Sequence, residues 1–471
     1  MATDCKADQL SFQGWGEGRR REVRLDFEGG LLSSDGGSIL LAETERRRRI
    51  LDRFARCFVD HRSPDRIEHS VRSLVSQRVV GLALGYEDIN DHEQLRSDPL
   101  LATVIGEADP TGRGRRRPDD VGKPLAGKST LNRFEHGAVS RAAVDRYKRI
   151  EVKTGAIEDL LIDLFVETQP AASKRFILDF DATDDPVHGD QEGRFFHGYY
   201  GHYCYLPLYV ACGDSILWAE LRPSNIDASK GSVEALERIV GRIRRRFPKV
   251  EILVRADSGF AREPLMRWCE AHGVEYVLGL ARNQRLERSL SKELARAARR
   301  HARTGQPERR FKDFTYETRS TWSRKRRVIG KAEVLAKGPN PRFLVTSLAK
   351  SELAAEALYD LYCLRGDMEN RIKEQQLDLF AGRTSAHWMK VNQLRLWLST
   401  FAYTLLAELR RIGLAGGAWS RAQCGTIRLK LLKIGAQVRL SVRRVWISLS
   451  SSYPWKSTFL GALDQLRAAP A

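Results

Sequence analysis

Residues 175–181 read RFILDFD, and residues 250–259 read VEILVRADSG. Each is an apolar run of strand length that ends in a carboxylate, Asp181 in one and Asp257 in the other. Short continuous apolar runs of this kind predict strands buried on both faces, as in the centre of an α/β sheet. Between them lie aromatic and β-branched stretches (Phe195–Gly198, Tyr203–Cys212), and Gly213-Asp214 turns the chain into Ile216–Arg222, a meander. Ser229–Phe247 has helical spacing and a basic last turn that suits the helix dipole. Glu263–His272 predicts a further helix and Val274–Gly279 a further strand. Three strands, helix, strand, helix, strand make an α/β core, and a carboxylate at the C-terminal end of a central strand stands at the rim where such sheets bind ligands.

Outward from this core the chain is mostly helical. A short strand-like stretch (Glu22–Phe27) and a Gly/Ser turn (Gly29–Gly37) precede an amphipathic helix over Ser70–Tyr86. Residues 106–128 are rich in Gly, Pro and Arg and predict a flexible basic linker; helical spacing resumes over Ser129–Asp163. Alternation within residues 307–348 predicts a hairpin with Trp322-Ser323-Arg324-Lys325 at its tip. Ser351–Leu379 and Val391–Arg411 read as helices. Ile427–Ile434 and Val438–Leu449 alternate apolar with basic or small polar residues and predict a two-strand ribbon carrying Arg428, Lys430, Arg439 and Arg443.

The 471 residues carry 79 Lys+Arg against 60 Asp+Glu, a net charge of +19. The excess is spread over several clusters, among them Arg46–Arg49, Arg115–Arg117, Arg242–Arg246 and Arg324–Arg327, so it is not a basic tail. Such a chain suits a polyanion whose counterions it can displace, and nucleic acid is the expected partner. No apolar run reaches the ~18 residues that span a bilayer, and MATDCKADQL lacks the layout of a signal peptide. Seven scattered cysteines without a C-x-x-C pair argue for a reducing compartment and against a zinc or disulfide framework. The expectation is a cytoplasmic, nucleoid-associated protein with no membrane partner.

A third carboxylate completes a pattern. In Tyr362-x-x-Arg365-x-x-x-Glu369-x-x-x-Lys373 the four side chains recur at three- and four-residue steps and share one helix face. Alone this is an ordinary ion-pair ladder, and a lone strand-end Asp more often caps a turn. Together, Asp181, Asp257 and Glu369 supply hard oxygen ligands for two Mg²⁺ (or Mn²⁺) ions, which activate a nucleophile and steady a leaving oxygen in phosphoryl transfer. Trp322, with Arg324 and Lys325, is a candidate base-stacking and DNA-binding tip. His188, His197 and His202 cluster with Tyr199, Tyr200 and Tyr203 and read as packing or DNA-facing residues. A competing motif is GKPLAGKST at 122–130, formally a P-loop; the charged, proline-containing stretch before Gly122 is no central strand, so a nucleotide hydrolase is the weaker alternative.

The segments LDFDATDDPVHGDQEGRFFHGYYGHYCYLPLYV, LRPSNIDAS, RADSGFAREPLMRWCEAHGVEYVLGLARN and YCLRGDMENRIKE, with LSSDGG, GYEDINDHEQLRSDP and STLNRFE, resemble the DDE transposases of bacterial insertion sequences. Within these the chain resembles the branch with a Tyr-Arg-Glu-Lys signature, the group named after insertion sequence thirteen-eighty. The resemblance runs from about Phe27 to Pro454. It implies a ribonuclease-H-like catalytic core with a β-rich insertion, plus an N-terminal helical DNA-binding region. It implies Asp181, Asp257 and Glu369 as the metal-binding catalytic triad, with Tyr362, Arg365 and Lys373 on DNA phosphates. The branch places its signature Lys seven residues after the Glu, where this chain has Gln376, so the role passes to Lys373. The expected division is a DNA-binding region (1–105), linker (106–128), helical connector (129–173), core (174–300), β-rich insertion (301–350), catalytic-helix part of the core (351–412) and basic ribbon with tail (413–471). The activity implied is cut-and-paste transposition: a homodimer in a paired-end complex would bind terminal inverted repeats of double-stranded DNA, cleave and join to target DNA. A DNA-binding derivative without catalysis is the other alternative.

Overall fold

The computed structural model describes residues 10–12, 23–137 and 150–469. Residues 138–149, part of the stretch expected to be helical, lie outside the described residues, as does Cys5. The first long helix, α1 (Val71–Leu84), forms where apolar spacing predicts it. The Ser70 side chain accepts the Ser73 amide at its start, and Gly85 closes it at φ 95°, a conformation that costs glycine little. Residues 106–128, expected as a flexible linker, are tied down on the helices. Arg115 donates to the carbonyl oxygens of Glu68 and Lys123, and Arg96 pairs with Asp120 at 2.6 Å. A second helix, α2 (Thr154–Thr168), leads to the sheet.

Nine strands form one sheet. In chain order its longer strands are β1 (Arg175–Ala182), β2 (Leu208–Cys212), β3 (Ser215–Glu220), β4 (Glu251–Ala256), β5 (Glu275–Leu280), β6 (Glu308–Tyr316), β7 (Arg326–Leu335) and β8 (Arg342–Thr346). Their spatial order is β3-β2-β1-β4-β5-β8-β7-β6, with Gly338–Pro339 against β7. β1, β4 and β5 are parallel, while β2, β3 and β6–β8 pair antiparallel. The parallel strands are joined by helices, as such pairings require: α3 (Ser232–Arg246) precedes β4 and α4 (Glu263–Ala271) precedes β5. The β4 residues Ile252, Val254 and Ala256 enter one core while Leu253 enters another on the opposite face. That two-sided burial is why the sequence reads as an unbroken apolar run. The stretch 301–350, expected as a β-rich insertion, holds β6–β8, which lengthen the same sheet under helix α5 (Gln284–Thr304).

Helices α6 (Ala355–Cys363) and α7 (Gly366–Lys373) follow, and then α8 (Met389–Glu408), which is buried along most of its length. α8 packs on α1, and Phe401 stacks on Phe54 with ring centroids 3.7 Å apart. Buried Glu135 accepts from both Arg78 of α1 and Arg395 of α8. The helices before residue 137 therefore share one hydrophobic core with those after residue 388. The C-terminal ribbon departs from its expected bounds. Residues 424–432 are helical, with Cys424, Ile427, Leu431 and Leu432 buried at helical rather than alternating spacing. Only Ala436–Leu440 and Val445–Leu449 form strands, and Leu31–Ser33 joins them as a third. Arg428 is consequently a structural residue: its guanidinium donates to the carbonyl oxygens of Leu82 and Ala83 at the end of α1. Among the described residues, no helix is long and apolar enough to cross a membrane.

Candidate active site

β1 and β4 pair in parallel with Ala256 opposite Phe180, so Asp257 follows β4 level with Asp181 near the end of β1. Asp257 is fixed by its own turn, since its Oδ1 accepts the Gly259 amide at 2.9 Å. Asp179 shares a strand face with Asp181 but has a different occupation. It forms a buried bidentate pair with Arg255 (2.7 Å on both oxygens), and Arg255 also donates to the Leu361 carbonyl at 2.6 Å. Asp179 thereby locks α6 onto the sheet, and Asp181 is left to meet Arg365.

The chain from α6 to α7 passes through Leu364 and Arg365 with tightened hydrogen bonds, Arg365 N to Tyr362 O and Met368 N to Arg365 O. The Arg365 guanidinium spans the site, with Nη1 3.3 Å from Asp181 Oδ1 and Nη2 3.0 Å from Glu369 Oε1. Tyr362 approaches from the same side. A Cβ on Gly279 would lie 2.8 Å from the Tyr362 hydroxyl and 2.9 Å from the Ser258 amide, so only glycine at the end of β5 admits this packing. The charges are coupled. Burial, reinforced by Asp257 and Glu369 and opposed by Arg365, pushes Asp181 up to about 6. Burial works against the Arg365 charge, yet Asp181, Tyr362, Glu369 and Asp257 together raise its pKa. Burial and the carboxylates of Asp184, Asp181 and Asp257 push Tyr200 up to about 12, so this ring also stands beside the cluster.

A cleft of about 760 Å³ opens from Asp257 toward β5 and β8, lined among others by Ser258, Arg282, Arg342, Tyr362 and Arg365. Arg282 and Arg342 escape a reading of the sequence, because single arginines in so basic a chain carry no distinguishing pattern. The position of Arg282 two residues past the end of β5 was the available signal. Of the expected DNA contacts, Tyr362 and Arg365 join the carboxylates. Lys373 is exposed on α7 and makes no ion pair among the described residues, whereas Gln376 donates to the Asp184 carbonyl at 3.3 Å. Trp322 packs edge-on against Tyr316 and beneath Arg326; Arg324 pairs with Glu270 of α4 and Lys325 with Glu317. In GKPLAGKST no strand precedes Gly122. The helix that starts at Lys128 already has its first amide donating to Glu93 (3.2 Å), which closes the place a phosphate would take.

The donor set at the cleft consists of hard carboxylate oxygens, as Mg²⁺ or Mn²⁺ requires. Among the described residues no three acidic, His or Cys side chains are grouped closely enough to hold a metal ion. The guanidinium of Arg365 lies between Asp181 and Glu369 and supplies positive charge there. Glu369 is half exposed, and the donor chemistry of the three carboxylates fits a divalent metal.

Two strand-end aspartates and a helix glutamate thus stand around Arg365, beside a cleft that holds Arg282 and Arg342. The family model described as the transposase DDE domain, group 1, matches residues 16–471. The chain belongs to that family, whose members act on DNA and generally use divalent metal ions. No curated protein matches the chain.

Proposed function

We propose that the protein is the transposase of an insertion sequence of the thirteen-eighty group, and that Asp181, Asp257 and Glu369 are its catalytic carboxylates. The observation that carries this reading is the Arg365 guanidinium, which pairs with Asp181 of β1 and Glu369 of α7, while Asp257 follows β4 level with Asp181. The parallel β1-β4-β5 set flanked by antiparallel β2 and β3 supports a ribonuclease-H-like core, with β6–β8 as its β-rich extension. The helices within residues 1–105 are the proposed region for the terminal inverted repeats, and a homodimer bridges two element ends.

The divalent metals, Mg²⁺ or Mn²⁺, supply the charge that activates the attacking oxygen and steadies the leaving one. Asp181 and Asp257 offer ligands fixed by a strand and a capped turn, and Glu369 closes the set from α7. Arg365 and Tyr362 turn to the phosphate, while Arg282 and Arg342 hold the flanking backbone in the cleft. A water oxygen bonds to phosphorus and the bond to the 3′ oxygen breaks, leaving a 3′-hydroxyl and a 5′-phosphate. That hydroxyl then attacks a target phosphodiester, forming one ester bond and breaking one, so joining consumes no external energy.

The test is metal-dependent nicking of duplex DNA that carries the ends of the element. Wild-type protein nicks at the element boundary with Mg²⁺, and Asp257→Ala abolishes nicking while still binding the duplex. Binding without nicking by the wild type would instead identify a catalytically silent DNA-binding derivative.

A further inference from the structure

The segment between β1 and β2 forms a three-stranded sheet of its own, Asp185–Pro186, His202–Tyr205 and Phe195–His197. It is anchored to the rest of the protein: Cys204 and Tyr205 are fully buried, and the Tyr205 hydroxyl donates to the Glu192 carbonyl. Several of its large rings break the usual rule. Phe196 (58% exposed) and Tyr203 (47%) are cross-strand partners on one face, Tyr199 (86%) stands in the turn beyond them, and Phe195 (42%) lies on the opposite face. Grouped exposed aromatics on a firmly held sheet mark a contact surface. The rings are held by one another and by a cation: Phe196 meets Tyr203 edge-on at 5.6 Å, Tyr199 meets Tyr200 at 5.0 Å, and Arg194 lies 4.6 Å over Tyr203.

Position decides what the surface meets. The ribbon leaves the sheet just after Asp181 and returns at β2, whose Tyr209 pairs with Asp181. The basic cleft with Arg282 and Arg342 lies on the far side of β4. A strand whose phosphate sits at the carboxylates and whose backbone runs into that cleft therefore continues across the ribbon. Bases in a duplex already stack on their neighbours; free ring faces beside a cleavage site fit bases that have lost theirs.

We propose that the ribbon at Phe195–Tyr203 stacks unpaired bases of the DNA strand held at the carboxylate site; this rests on the transposase reading. Phe196, Tyr199 and Tyr203 offer the ring faces, and Arg194 adds a cation next to the backbone.

The test uses full-length protein in EDTA, with fluorescence anisotropy on single-stranded oligothymidine, an abasic oligomer of the same length and a duplex. Wild type is expected to bind oligothymidine about tenfold or more tightly than the abasic oligomer. F196A/Y199A should lose that preference, changing duplex affinity less than about twofold. Y199A alone, at the most exposed ring, serves if the double variant melts early. Equal wild-type affinity for oligothymidine and the abasic strand overturns the proposal. So does a variant that keeps the preference but sediments as a monomer where wild type is a dimer, which makes the ribbon a subunit contact. Because no metal is present, nicking plays no part in the readout. Base stacking without metal-dependent nicking would sink the transposase reading and leave the ribbon standing; nicking without stacking would do the reverse.

Discussion

Arg365 joins Asp181 to Glu369 through two arms of one guanidinium, 3.3 Å and 3.0 Å long. A cation belonging to the chain thus stands among carboxylates that would otherwise repel one another, and it competes with a bound metal for them. Arg365→Ala is expected to bind Mn²⁺ several-fold more tightly in calorimetry, since a competing positive charge is gone. The same variant should cleave DNA about a hundredfold more slowly or worse, because a phosphate-binding donor is lost. Weaker Mn²⁺ binding would show that Arg365 holds the carboxylates in place instead.

The two aspartates of β1 should separate cleanly by their effects on stability. Asp179→Ala strands Arg255 as a buried unpaired charge and is expected to cost about 3–5 kcal/mol in denaturant unfolding. Asp181→Asn removes a charge that burial disfavours and that Asp257 and Glu369 repel, which outweighs the lost Arg365 pair, and should raise stability by about 1 kcal/mol without metal. Equal losses from both would contradict the division between a structural and a site-facing carboxylate.

Lys373 and Gln376 compete for the role of the signature lysine. With Lys373 exposed and Gln376 turned to the Asp184 carbonyl, Lys373→Ala should lower the slope of log affinity against log salt by about 1. Gln376→Ala should leave that slope alone. The reverse pattern would move the role to position 376.

Acid sensitivity has a located source. Burial, with the nearby charges of Arg115 and Arg96, lowers His69 from 6.5 to about 4. Above pH 6.5 neither folded nor unfolded chain protonates it. As pH falls below 6.5 the unfolded chain takes the proton first, and stability drops by up to about 3 kcal/mol by pH 4, then levels. Urea midpoints for wild type and His69→Gln should therefore diverge between pH 6.5 and 4, the variant losing less; parallel curves would exclude His69 as the source.

The parts of this protein legible in its sequence are those set by local chemistry. β1 and β4 showed as apolar runs ending in Asp181 and Asp257 because both sheet faces are buried, and the Glu369 face showed through its three- and four-residue steps. Alternation misread residues 427–434, whose buried positions follow a helical period on α1. Nothing local reveals that α1 and α8 share a core, or that residues 106–128 are pinned by Arg115 and Asp120. The assignment of Asp179 to Arg255 was equally hidden, since two aspartates two residues apart on one strand look alike until a partner from β4 neutralises one.

The central claim, that Asp181, Asp257 and Glu369 hold the metals that cleave DNA, is tested most directly by exchanging one ligand for sulfur. Asp257→Cys protein should fail to nick element-end DNA with Mg²⁺ and regain nicking with Mn²⁺, which accepts a thiolate more readily. Full nicking by Asp257→Cys with Mg²⁺, or nicking by Asp181→Asn or Glu369→Gln at the wild-type rate, would contradict it.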